Sequence, residues 1–454
     1  MMNEILKAKI LSWDASVPRY TSYPSAPHFK ADFNVNTYES WLKDLPPNSD
    51  ISLYVHIPFC SQMCFYCGCH TKVTKRYEPI TSYLYLLQKE VALLREIIPA
   101  SCRISHLHFG GGSPTMLDSG DFTALMKYLR QSFYFQDNAE IAIEADPRQM
   151  TRERIQAYAA TGVNRISLGV QDIHDDTMAA VNRVQPFSLT ENAVQWLREA
   201  GVNRINMDVM YGLPHQTVDT MRDTMTRLLA LKPDRVSFFG YAHVPWMKKH
   251  MQLMPQEALP DKSLRYDLAA IGAEILVQHD YHAIGIDHYV RGDDPMKHVA
   301  DNRALKRNFQ GYTTDNATAL IGLGASSISK LPQGYVQNTP HNVLYKQALD
   351  AGHLPIAKGF ALSANDALWG GIIESLMCTL RVDLNDYTER FHVPFCLFED
   401  ILAYLQPMQH QGLLTMEQGV ITIAPEARHI TRVVCAAFDR YLDTPSGQRH
   451  SKAV

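Results

Sequence analysis

The feature that most constrains this chain is a strict alternation of strand-like and helical segments from residue 51 to about residue 290. Apolar, strand-type runs fall at 51–57, 103–109, 140–145, 165–169, 205–210 and 235–239. The 3.6-residue periodicity between and after them predicts helices over 79–97, 119–133, 188–200, 217–231 and 261–279. Six βα units in succession predict a parallel sheet, which right-handed crossovers wind towards a barrel. The expected class is α/β, a partial (β/α)6 barrel. On this reading residues 1–50 form an N-terminal arm, 51–345 the barrel with its extension, and 346–454 a mostly helical domain. Within that last part, Gly412–Met416 and Gly419–Ile423 read as a short strand pair, the wing of a winged-helix-like domain.

Polar residues and glycines gather where the strands end. The second strand runs into Gly110-Gly111-Gly112-Ser113, the third into Glu144-Ala145-Asp146-Pro147 and the fourth into Gly169-Val170-Gln171-Asp172. Asp208 lies on the fifth strand, and Tyr241-Ala242-His243 follows the sixth. Catalytic and binding groups of a βα barrel belong at this C-terminal mouth. Each feature also has a plain structural reading. The triple glycine could be a simple turn, but no Gly-Lys-Ser/Thr follows to make it a phosphate loop. Asp208 could be a cap or a core ion pair, and Glu144 is costly to bury unless paired. Arg183 would by default be a solvated surface arginine.

The first strand leads into Tyr54-Val-His-Ile-Pro-Phe-Cys60-Ser-Gln-Met-Cys64-Phe-Tyr66-Cys67-Gly-Cys69. Thiolates this close select zinc, copper(I) or an iron–sulfur cluster. Structural zinc normally needs a second knuckle, whereas Cys102, Cys378, Cys396 and Cys435 are scattered singly, the last three reading as small buried hydrophobes. A disulfide is disfavoured, because the start of the chain lacks a signal peptide's apolar core and a cytoplasmic location is expected. A redox C-x-x-C at Cys64 and Cys67 would leave Cys60 unexplained. Three thiolates at x3/x2 spacing can hold three irons of a cubane and leave the fourth open to a ligand.

Composition narrows the field. A net charge of −4 gives no footprint for nucleic acid, and no apolar run approaches the roughly 20 residues that span a bilayer. Neither a nucleic-acid nor a membrane partner is expected, and a monomer is.

The C-x3-C-x2-C triad after a barrel strand resembles the signature of radical S-adenosylmethionine (SAM) enzymes. The longer string around it, with Arg19-Tyr-Thr-Ser-Tyr-Pro24 and Arg307-Asn-Phe-Gln-Gly-Tyr-Thr-Thr314, is similar to the oxygen-independent coproporphyrinogen III oxidases (dehydrogenases) of haem biosynthesis. The resemblance covers about residues 17–330 strongly and the C-terminal part weakly. It implies that Cys60, Cys64 and Cys67 ligate a [4Fe–4S] cluster, with Cys69 a nearby non-ligand and Tyr54 close by. Two SAM molecules are implied as well. Tyr54, Gly111 and Glu144 would contact the first. Tyr66, Gly112, Ser113, Gln171, Arg183, Asp208, Ala242 and Ile328 would contact the second. Ser113 stands where the family often has threonine. The implied activity is oxidative decarboxylation of two propionates of coproporphyrinogen III to vinyl groups, giving protoporphyrinogen IX. A flavodoxin- or ferredoxin-like donor would supply electrons, and Arg19 with the arginines of 285–330, Arg303 and Arg307 among them, are candidates for pairing the propionates. His243 and His288 are read as hydrogen-bonded residues and not as a second metal site. A paralogue acting on another tetrapyrrole and a haem-binding chaperone are the rivals; the Arg19–Pro24 string counts against both.

Overall fold

The computed structural model describes residues 4–442 and Lys452. The six expected strands are present as β1 (Asp50–Ile57), β2 (Arg103–Gly111), β3 (Tyr134–Ala145), β4 (Arg165–Gln171), β5 (Arg204–Tyr211) and β6 (Arg235–Gly240). The five expected helices are Glu78–Ile97, Ser119–Ser132, Phe187–Glu199, Val218–Ala230 and Lys262–Gln278. Their starts have local causes. The Asp118 and Asp261 side chains accept from backbone N–H groups three residues on, and Thr217 with Thr220 forms a reciprocal capping box. Two shorter helices, Arg152–Ala160 and Asp175–Ala180, carried too few turns to stand out in the periodicity.

The chain divides into two compact units. One comprises Phe29–Asp208 and Asp315–Ala361. Its strands run in the order Ile356–Ala361, Gly334–Asn338, Ile328–Leu331, Ala319–Leu323, β1, β2, β3, β4 and the start of β5. β1 to β4 and Ala319–Leu323 pair in parallel, while the next three strands pair antiparallel and were not anticipated. Side chains alternate across a strand, so the apolar set Leu53, Val55, Ile57, Leu107, Phe109, Ile143, Ile166 and Leu168 is fully buried on one face. By the same alternation Tyr54, His56, His108, Gly110, Glu144 and Gly169 share the other face. Register completes the set, placing Tyr54 opposite His108 and Glu144 opposite Ser167.

The second unit comprises the residues up to His28, Val209–Thr314 and those from Leu362 on. It holds the end of β5, then β6 and an antiparallel pair, His288–Arg291 and Tyr281–Ile284. Residues Lys306–Asn308 and Gly311–Thr313 form a separate hairpin. The expected wing is a three-stranded sheet and not a pair, because Arg381–Asp383 joins Val420–Ile423 and Leu414–Glu417. Three residues are too few for their alternation to be read in the sequence. Helices Ala364–Thr379, Leu384–Phe391 and Glu399–His410 pack with this sheet on a core of Trp369, Ile372, Leu376, Phe398, Leu405 and Ile421. Tyr20 and Tyr23 belong to that core; Tyr20 donates to Asp439 at 3.1 Å and Tyr23 accepts from the Arg440 N–H at 3.0 Å. Cys378 and Cys435 are buried as expected, but Cys396 is exposed on a short turn and is not a core residue.

Candidate active site

Pro58 ends β1, and the chain then closes a loop on itself. Phe59–Cys60 pairs with Lys72–Val73, and the Thr74 N–H donates to the Cys60 carbonyl at 2.9 Å. Inside the loop the Cys67 N–H donates to the Cys64 carbonyl at 3.1 Å, and the Cys69 thiol is hydrogen-bonded to Cys67. Donors point at the sulfurs. Thr71 Oγ1 lies 3.2 Å from Cys60 Sγ, and Cys64 Sγ receives Arg183 Nη1 at 3.5 Å and Arg148 Nη2 at 3.8 Å. Burial pushes the Cys60 thiol up to about 11, against the Thr71 bond. Among the described residues no three His, Cys, Asp or Glu side chains converge on one ion. A cubane does not ask for that, since each thiolate takes a different iron. Hydrogen-bond donors aimed at sulfur orient cluster thiolates and tune the potential of the cluster they hold. The residues fit the cluster.

Next to this loop the glycines leave no room for a side chain. A Cβ on Gly112 would lie 2.5 Å from Thr71 Oγ1 and 2.7 Å from the Phe59 carbonyl, and one on Gly110 would lie 2.7 Å from Glu144. Gly111 has φ +118°, which favours glycine, and its N–H donates to Glu144 Oε2 at 3.1 Å. His108 Nε2 lies 3.1 Å from Glu144 Oε1. Burial alone would raise Glu144, but His108, the Gly111 N–H and His56 outweigh it and hold the carboxyl below its usual range. Tyr54 bonds His56 Nδ1 at 3.1 Å, and burial beside Glu144 keeps its phenol well above the ordinary value.

A second group surrounds Arg183, which is 6% exposed and so is no surface arginine. Its Nη2 donates to the Gly169 carbonyl at 2.6 Å and lies 3.4 Å from Asp146 Oδ1, while Arg148 Nη2 pairs with Asp146 Oδ2 at 2.6 Å. Burial opposes the guanidinium's charge, but Tyr66 and Asp146 overcome it and raise Arg183. Burial likewise works against Asp146, which Arg183 and Arg148 hold down. Two buried polar atoms here have no partner, Arg183 Nε and Gln171 Oε1. Such orphans are costly unless a ligand meets them, which suits a polar cofactor. Ser113 Oγ bonds Thr115 Oγ1 at 2.6 Å, and Asp208 accepts from Ser167 at 2.9 Å and from Asn206 at 2.8 Å. Ile328 opens its strand against Gly322, where a Cβ would meet Ile328 backbone at 2.9 Å. Of the expected cofactor residues, Ala242 alone lies in the other unit, half-buried on the loop after β6. His108, Arg148 and Thr71 were missed. His108 could have been found, because it sits two residues before the glycines on the same strand face as Glu144's partner position.

The second unit holds a separate cationic cluster. Asp287 bonds His288 Nδ1 at 2.7 Å, and Arg19 and Arg307 act on the same carboxylate. Burial would raise Asp287; His288, Arg307 and Arg19 overcome it and hold it at about 2. Arg432 is pulled down to about 10 by burial and by Arg19. Arg307 covers the Tyr312 ring at 4.5 Å, and its buried Nε and Nη1 have no hydrogen-bond partner. Three arginines around one aspartate leave a surplus of positive charge shaped for planar anions.

Comparison with known proteins gives this geometry a family. Residues 54–228 match the model of the radical SAM superfamily. The chain is 45% identical to the oxygen-independent coproporphyrinogen III oxidase of Bradyrhizobium diazoefficiens, over 96% of this chain and 97% of that protein. It is 36% identical to the Escherichia coli oxidase of the same name, over 96% and 95% of the two chains. The solved structure of the E. coli coproporphyrinogen III oxidase, described as a radical SAM enzyme, superposes with a TM-score of 0.89 over 94% of this chain and all of that one, at 34% identity. The fold is thus the expected α/β radical SAM barrel with a largely helical C-terminal part. Identity at this level over nearly both full lengths reflects common descent, and the chain belongs to the oxygen-independent coproporphyrinogen III oxidase family of the radical SAM superfamily.

Proposed function

We propose that this protein catalyses the anaerobic oxidative decarboxylation of two propionate side chains of coproporphyrinogen III, giving protoporphyrinogen IX. The observation that carries this reading is 45% identity over nearly the full length to an enzyme of that name, joined to a three-cysteine loop with donors on the sulfurs of Cys60 and Cys64. The family's [4Fe–4S] cluster and SAM supply, when bound and reduced, a 5′-deoxyadenosyl radical able to take a hydrogen from an unactivated carbon. Each propionate gives its β-hydrogen atom to that radical, forming 5′-deoxyadenosine, then loses CO2 and passes one electron to an external acceptor, becoming a vinyl group.

Cys60, Cys64 and Cys67 are the proposed ligands, with Cys69 outside the cluster. Glu144, with Tyr54 and Gly111, is suited to accept from the amino group of one SAM, since its carboxyl is held ionised. Gln171 and Arg183, with Tyr66, Gly112, Ser113, Asp208 and Ile328, are assigned to a second SAM; the orphaned Gln171 Oε1 and Arg183 Nε support that assignment. Arg307, Arg19 and Arg432 orient substrate carboxylates, Arg307 foremost because its Nε and Nη1 have no hydrogen-bond partner. A flavodoxin- or ferredoxin-like protein delivers the electron, and the enzyme works as a cytoplasmic monomer without nucleic-acid or membrane partners. Among the described residues no helix is long and apolar enough to cross a membrane.

The test is anaerobic. The reconstituted protein, given reductant, SAM and coproporphyrinogen III, is followed by chromatography and mass spectrometry. Two successive CO2 losses coupled to 5′-deoxyadenosine support the reading. Deoxyadenosine with an unchanged porphyrin would move the substrate elsewhere.

A further inference from the structure

We infer that the exposed basic segment Lys72–Arg76 is the docking face for an acidic one-electron carrier protein that reduces the cluster. This rests on the reading that Cys60, Cys64 and Cys67 hold a cluster. From Ile51 to Tyr77 the chain has no aspartate or glutamate, yet it carries Lys72, Lys75 and Arg76. Glu78 is the next acid. The whole chain is acidic, at −4, so this stretch is opposite in sign to the molecule that bears it. Lys72, Val73, Lys75 and Arg76 are all exposed, Val73 at 47%. An apolar centre rimmed by charges of one sign is the usual anatomy of a steered, transient interface.

Its position argues for electron delivery in particular. Lys72–Val73 pairs with Phe59–Cys60, and the Thr74 N–H donates to the Cys60 carbonyl at 2.9 Å. Thr71, the residue before Lys72, places its hydroxyl 3.2 Å from Cys60 Sγ. A carrier seated on the segment is therefore one residue and one hydrogen bond from a ligand sulfur. The step is a single electron transfer. A flavin hydroquinone anion becomes the neutral semiquinone, the cluster passes from the 2+ to the 1+ state, and no bond in this chain changes.

The probe is a purified acidic flavodoxin. Its binding to the wild-type chain and to a K72E/K75E/R76E variant is measured by calorimetry at low salt, and cluster reduction by stopped-flow absorbance at low and high salt. Dithionite serves as the small reductant in parallel. The expected result is weaker flavodoxin binding and reduction slowed by roughly tenfold or more at low salt, with the salt dependence flattened. Dithionite reduction of the two proteins stays equal. Unchanged flavodoxin binding and reduction in the variant would overturn the proposal. So would equal losses with both reductants in the triple variant and in K75E/R76E, which would make the segment a support of the loop and not a docking face. Preference of the wild-type segment for phosphatidylglycerol vesicles over flavodoxin would overturn it as well. A wild-type protein that dithionite cannot reduce after reconstitution would instead sink the cluster reading beneath it.

Discussion

Arg183 Nη1 lies 3.5 Å from the sulfur of Cys64, and the same guanidinium lies 3.4 Å from Asp146. One buried cation thus joins the loop after β1 to the ends of β3 and β4. Replacing it by alanine leaves Asp146 with Arg148 alone and strips a donor from Cys64. The expected cost is about 3 kcal/mol, the lower end for breaking a buried pair. R183K keeps the charge but loses the forked contacts, so it should restore stability more fully than SAM affinity. Thermal unfolding and SAM titration of the two variants check this; equal recovery of both properties would contradict it.

The thiol assignments separate four adjacent cysteines. C60A, C64A and C67A should each lose the visible absorbance and the iron of the reconstituted protein, while C69A keeps them. Iron and sulfide analysis decides the matter. A C69A protein without a cluster would make Cys69 a ligand.

Arg307 should matter for substrate and little for SAM. R307A is expected to raise the KM for coproporphyrinogen III by about ten- to a hundredfold, the value of one or two charge-assisted hydrogen bonds. Substrate-free cleavage of SAM should stay near wild type. A loss of cleavage matching the loss of turnover would remove Arg307 from the substrate site.

Glu90 gives a pH dependence of known sign. Its carboxylate is buried, accepting from the Gly324 N–H at 2.7 Å, from Tyr345 at 2.6 Å and from Asn338. Burial dominates these bonds and raises it from 4.5 to about 7. The folded state therefore holds this proton more tightly than the unfolded chain, so wild-type stability relative to E90Q falls as pH rises from about 4.5 to about 7. The drop approaches 3 kcal/mol, at about 1.4 kcal/mol per pKa unit. Denaturant melts of both proteins across that range measure it. Parallel curves would show that Glu90 titrates as it does in the unfolded chain.

The parts of the fold visible in the sequence were those with long, regular periodicity. All six strands and five helices of the βα run were readable because each buries one face against a neighbour close in the chain. The antiparallel strands from Ile328 to Ala361 were not, since their partners are set by register and not by pattern. The cysteine loop was legible from spacing alone. Arg183 was not, because nothing in Val181-Asn182-Arg183 says that Asp146 lies across from it. Arg148 was missed because Asp146, two residues before it, was read only as part of a turn, and His108 was missed although strand alternation places it on the face of Gly110 and Glu144. The Glu90 network joins residues more than 230 positions apart and has no local signature.

The most direct test follows hydrogen. With coproporphyrinogen III deuterated at the β-carbons of its propionates, the reconstituted enzyme should place deuterium in 5′-deoxyadenosine, one label for each CO2 lost, over two losses. Unlabelled 5′-deoxyadenosine beside a porphyrinogen of unchanged mass would contradict the account, leaving a SAM-cleaving protein that does not act on these propionates.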